Sequence, residues 1–185
     1  MTTNNTKKWV LSALFAALTT VCTMIIRIPT PTGGYIHPGD GMVLLCGILL
    51  GPGMGALAAG IGSMLSDLFS GYLAWVPATL IIKALSAMIA GFFYHGLAHR
   101  FTGKKGATLR VIVGGIPAEA VMICGYFLFE AGLNAAAAGS LSSAAIAGAV
   151  AYSAAGIPAN LMQGIAGIVI ACLLLPLLHS VTNES

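Results

Sequence analysis

Apolar residues run along this chain in long blocks, parted by short clusters of glycine, proline and charge. Four blocks, Trp9–Ile28, Trp75–Leu97, Leu109–Phe129 and Ala155–Leu178, match the length of about 20 apolar residues that spans a bilayer as a helix. A fifth, Gly41–Ser66, is uncharged throughout but interrupted by Gly51-Pro52-Gly53, a strong turn signal. The break predicts two shorter helices, about His37–Leu50 and Met54–Ser70, and so six in all.

Charge placement supports the split. Lys7 and Lys8 precede the first helix, and Arg100, Lys104, Lys105 and Arg110 separate the fourth from the fifth. Basic residues collect on the cytoplasmic side, and only an even number of crossings between the two clusters puts both there. The fold class expected is therefore an all-α membrane protein with six transmembrane helices and both termini cytoplasmic. Residues 1–185 read as one domain, without an internal repeat. Lys7 and Lys8 followed by an apolar run resemble a signal peptide, but the run exceeds a usual h-region and no A-x-A-like cleavage site follows. It reads as a retained first helix.

Composition changes the picture in one direction. Of 185 residues 58% are hydrophobic and 7% charged, with mean hydropathy +0.95, against about 25% charged in soluble domains. The net charge of +3 is too small and scattered for nucleic acid. Cys22, Cys46, Cys124 and Cys172 lie in apolar runs without paired metal-ligand spacing and read as small hydrophobes. No metal, cofactor or phosphate-binding motif is present.

Ionisable groups inside a membrane are costly and point to function. Lys83 falls about two turns into the fourth helix and Glu119 midway along the fifth. Asn160 and Gln163 follow Pro158, expected to bend the sixth. Trp75, Thr79 and Lys83 share one face, and Glu119, Tyr126 and Glu130 nearly share another. The loop Pro29–Gly39 adds Tyr35 and His37, and proline and glycine hold such a loop in few shapes. Asp40 is expected to cap the second helix. Together these groups outline a pocket for a small polar heterocycle, with aromatic walls and a few fixed donors and acceptors. Each has a plainer reading: a Lys83–Glu119 ion pair, amide links between helices for Asn160 and Gln163, interfacial aromatics for Tyr35, Tyr72 and Trp75, solvated helix ends for Asp67 and Glu130. The segment Ala131–Ala154 is expected to be a loop with a helical portion across the outer surface. Ala13, Ala16 and Ala17 form a small-residue face on the first helix that admits a close helix neighbour.

With the small-residue first helix, the loop ending HPGDG, the hairpin LLGPGMGALAAGIGSMLSDLFSG and the IPANLMQGIAG start of the last helix, the chain resembles the S components (substrate-binding subunits) of energy-coupling factor (ECF) vitamin transporters. The nearest subgroup is the one associated with hydroxymethylpyrimidine and vitamin B6. The resemblance implies a non-catalytic subunit of the cell membrane that captures a water-soluble vitamin at the outer face. It implies docking through Ala13, Ala16 and Ala17 on a transmembrane scaffold subunit coupled to two cytoplasmic ATPases. The implied substrate site comprises Tyr35, His37, Trp75, Thr79, Lys83, Glu119, Tyr126, Asn160 and Gln163. Pantothenate and riboflavin remain alternative substrates, and a stand-alone carrier is the rival mechanism. An intramembrane hydrolase would need a nucleophile–base pair or paired acids at one depth, which the sequence lacks.

Overall fold

The computed structural model describes residues 3–30, 32–140 and 142–183; Pro31, in the predicted loop, lies outside them. The elements are α1 (Thr3–Ile25), β1 (Ile28–Pro29), β2 (Tyr35–Ile36), α2 (Asp40–Leu50), α3 (Pro52–Ser70), α4 (Val76–Gly96), α5 (Gly103–Ala137), α6 (Ser143–Ala154) and α7 (Ile157–Asn183). The six expected helices are present as α1–α5 and α7. Four stretches, Asn5–Ile25, Val76–Gly96, Gly103–Ala137 and Ser143–Leu178, are long and apolar enough to cross a membrane.

Several boundaries differ from expectation for physical reasons. The chain turns at Gly51, whose φ of 81° suits glycine, and Pro52 opens α3, where its missing N–H costs nothing. Pro158 likewise sits in the first turn of α7, where a proline removes no intrahelical hydrogen bond, rather than within the helix as a bend would need. The α5 helix runs well past the bilayer-length block because the alanines from 135 onward are strong helix formers. The segment 131–154, expected as a loop with a helical portion, is thus the end of α5, a short connection and the helix α6. Asn134 Nδ2 donates to Ser153 Oγ at 3.2 Å and ties the two together.

The short helix α2 lies at the centre, against α1, α3, α4 and α7. Nine of its 11 residues are buried, which explains its lack of a polar face. The outside of the bundle is apolar, with Leu14, Val21, Ile81, Phe92, Leu128 and Leu173 exposed, while Lys83, Ser86, Glu119 and Gln163 are buried. This inversion suits lipid outside and specific polar contacts within. All four cysteines are free thiols.

Close backbone approach sets the α2–α4 crossing. A Cβ at Gly47 would overlap the Ala87 carbonyl oxygen, and one at Gly91 would overlap that of Gly47. Because the obstacles are backbone, neither can swing aside. Gly47→Ala is expected to lower stability by about 1–3 kcal/mol through overpacking, read as a lower unfolding temperature in detergent. Gly53→Ala, where a Cβ meets nothing within 4 Å, should leave it nearly unchanged.

Candidate functional site

Between α1 and α2 the chain forms a small antiparallel hairpin, with Ile28 opposite Ile36 and Pro29 opposite Tyr35. Thr30 N–H donates to Gly34 O at 2.9 Å, and Gly33 takes φ 81° in the turn. The proline- and glycine-rich loop is therefore built as a ribbon, which holds Tyr35 and His37 over the bundle.

Beneath it lies a cavity of about 30 Å³, lined by Thr30, Gly34, Tyr35, His37, Asp67, Tyr72, Trp75, Thr79, Tyr126, Glu130, Asn160 and Gln163. That is room for a water or two, so a ring-sized ligand enters only as the lining side chains shift. Aromatic rings form its wall. Tyr35 and Tyr72 lie 4.7 Å apart between centroids, Tyr72 and Trp75 6.2 Å, and Trp75 and Phe129 6.1 Å. Tyr35 Oη donates to Asp67 Oδ1 at 2.7 Å, and burial pushes its phenol up from the usual value. The Thr79 and Tyr126 hydroxyls meet at 3.0 Å, joining α4 to α5.

One amide latches the ribbon to the bundle. Gln163 Oε1 accepts from the His37 backbone N–H at 2.9 Å, and Gln163 Nε2 donates to Asp40 Oδ2 at 2.8 Å. Asp40 Oδ1 accepts from Lys83 Nζ. This ion pair is fully buried, the side chains being 0% and 1% exposed. His37 Nδ1 accepts from Gly39 N–H at 3.1 Å, which requires that nitrogen unprotonated. Desolvation holds the imidazole down to about 4, with Asp40 pulling it up and Lys83 pushing it down. The ring is therefore neutral at pH 7.

The structure thus gathers Tyr35, His37, Trp75, Thr79, Tyr126, Asn160 and Gln163 around one cavity. Lys83 and Glu119 lie outside its lining. Lys83 pairs with Asp40, so the Lys83–Glu119 pair considered from sequence does not form. Asp40 is not the expected cap either: α2 has no side-chain cap, because the carboxylate is used by Lys83 and Gln163. Glu119 sits beside Asp40, near Gly164 and Gly167, with both carboxyl oxygens buried and unpartnered among the described residues. Sequence reasoning left Asp67, Tyr72 and Glu130 as helix-end or interfacial residues, yet all three line the cavity. The i, i+4 spacing of Tyr126 and Glu130 was the available signal.

At the other end of α1 lies an apolar groove of about 380 Å³ against α3, lined by Trp9, Ser12, Ala13, Ala16, Ala17, Met54, Leu57, Ala58, Ile61 and Leu65. Ala13 and Ala17 are exposed; Ala16 is half-buried, with its backbone against Gly62.

Comparisons agree with this architecture. A protein from Pyrococcus woesei, described as an uncharacterized protein in gap 3'region, is 41% identical over 108 residues, 58% of this chain and 67% of its own length. A UPF0397 protein of Streptococcus agalactiae serotype Ia is 34% identical over 104 residues, 56% of this chain. The chain spans only 57% of that streptococcal relative. A solved structure described as "Structure and mechanism of the S component of a bacterial ECF transporter" shares the fold, with TM-score 0.65 at 18% identity over 97% of this chain and 99% of that one. The family model for the ECF-type riboflavin transporter, S component, matches residues 3–180. With nearly the whole length matched, the chain belongs to the S components, the non-catalytic substrate-binding subunits of ECF-type transporters.

Proposed function

We propose that this S component captures a small nitrogen heterocycle of the vitamin class, an aminopyrimidine such as hydroxymethylpyrimidine or a pyridine such as pyridoxine, for ATP-driven uptake. The observation that carries this reading is the cavity under the β1–β2 ribbon. Tyr35, Tyr72 and Trp75 offer faces for a flat ring, and Asn160, Gln163 and Glu130 offer edge contacts. The ribbon faces outside the cell membrane, and both termini and the basic residues Lys7, Lys8, Arg100, Lys104 and Lys105 face the cytoplasm. The groove at Ala13 and Ala17 receives a helix of a transmembrane scaffold subunit, which couples to two ATPases. Riboflavin, named in the family description, and pantothenate are the competing ligands.

Uptake of radiolabelled hydroxymethylpyrimidine and pyridoxine into cells tests the reading. Expression of this chain with a scaffold and ATPase pair is expected to raise uptake at least tenfold over this chain alone. Inactivating the ATPases should abolish the gain. Equal uptake by the chain alone would overturn the assignment in favour of a stand-alone carrier.

A further inference from the structure

Five acidic residues are present in the chain, and two of them, Asp67 and Glu130, line the cavity. Their situations differ. Asp67 accepts from the Tyr35 hydroxyl, whereas Glu130, only 5% exposed, has nothing but the Thr32 hydroxyl beside its buried Oε2. Among the described residues no cation forms an ion pair with either carboxylate. Lys83 is consumed by Asp40, and Arg27 lies on the Tyr35 ring at 5.8 Å, itself exposed. A buried carboxylate without a cation is costly, and a positive group arriving from outside would offset that cost.

The surroundings specify that group. A carbon built at Gly34 would lie 3.7 Å from both Glu130 Oε1 and Trp75 Nε1. The carboxylate and the indole therefore meet at the same point of the ribbon. Tyr72 stands edge-on to Trp75, and Tyr35 packs on Tyr72. Aromatic faces next to an unpaired carboxylate recognise cations, through the ring quadrupole and through charge-assisted hydrogen bonds. An anion would face two carboxylates in a poorly solvated site.

Resting on the heterocycle reading above, we propose that the ligand is bound as a cation, and that Glu130 is the specificity-determining residue that pairs with its positive nitrogen within the Tyr35–Tyr72–Trp75 cage. Glycine at position 34 leaves room for that nitrogen to approach.

Matched ligands that differ in one group test this by calorimetry on the purified protein at pH 7.5. The pairs are pyridoxamine against pyridoxine, and aminomethylpyrimidine against hydroxymethylpyrimidine; in each, an ammonium replaces a hydroxyl on the same ring. The aminomethyl member is expected to bind at least tenfold more tightly, equivalent to about 1.4 kcal/mol. In Glu130→Gln this preference should fall below about twofold. The wild-type ratio stands as a test even if the variant does not fold. Equal or weaker binding of the aminomethyl members, or no binding by either pair, would overturn the proposal. So would a preference that survives in a folded Glu130→Gln. Tight binding of riboflavin or pantothenate would overturn the cationic class but leave the transport role intact, since the uptake comparison tests that separately.

Discussion

Replacing Lys83 with methionine is expected to destabilise the protein by about 3–5 kcal/mol, the range for removing one partner of a buried ion pair. Methionine keeps most of the volume, so the loss reports charge rather than a cavity. The Asp40 carboxylate, 1% exposed, would be left with Gln163 alone to offset its desolvation. The damage should also reach the ribbon, because the same Gln163 amide accepts from the His37 backbone N–H. Loss of ligand binding is therefore expected with the fall in unfolding temperature. The double variant Lys83→Met with Asp40→Leu should recover much of the stability, as apolar replacements of buried pairs often do. It should not recover binding, since Gln163 Nε2 loses its acceptor and the latch its anchor. If Lys83→Met costs no more than the exposed Lys104→Met, the pair is not what holds α2 against α4.

The helices were legible because bilayer-length apolar blocks and glycine–proline breaks are local signals. Gly51-Pro52-Gly53 divides α2 from α3 in the sequence and in the structure alike. Three of the cavity-lining residues were legible for a related reason: Trp75 and Thr79 keep helical spacing, and Tyr126 nearly shares a face with Glu119. Partner choice was not legible. Asp40 stands at a helix start, where a carboxylate ordinarily caps, and only the depth at which α2 sits between α4 and α7 turns it inward. The sequence does carry a hint, since α2 has no charged residue after Asp40 and so offers no solvated face for it. Asp67 and Glu130 were discounted because carboxylates near helix ends are usually solvated, whereas here the ribbon folds over them. The extent of α5 was missed because a bilayer-length window stops where apolarity falls, although helix propensity continues through the alanines.

Replacing Ala17 with tryptophan is expected to abolish assembly with the scaffold subunit, and with it ATP-driven uptake, while leaving ligand affinity within about twofold. The site lies on α1, in a groove against α3 that shares no lining residue with the cavity. Ala17 is exposed, so a large ring there points into lipid in the solitary protein and overpacks no interior. A scaffold helix seated in the groove has no such freedom, because close packing of membrane helices depends on small residues at the contact. Ala13→Trp should act alike. Ala16→Trp should differ, since the Ala16 backbone abuts Gly62 and Thr20 Oγ1 donates to the Gly62 carbonyl at 2.8 Å; a ring there strains the α1–α3 packing and should lower the unfolding temperature as well. Pull-down with tagged scaffold, calorimetry of the detergent-solubilised variant and vesicle uptake give the three readouts. Normal co-purification and transport by Ala17→Trp would show that the partner docks elsewhere. Loss of ligand binding by the same variant would show instead that α1 supports the pocket from within.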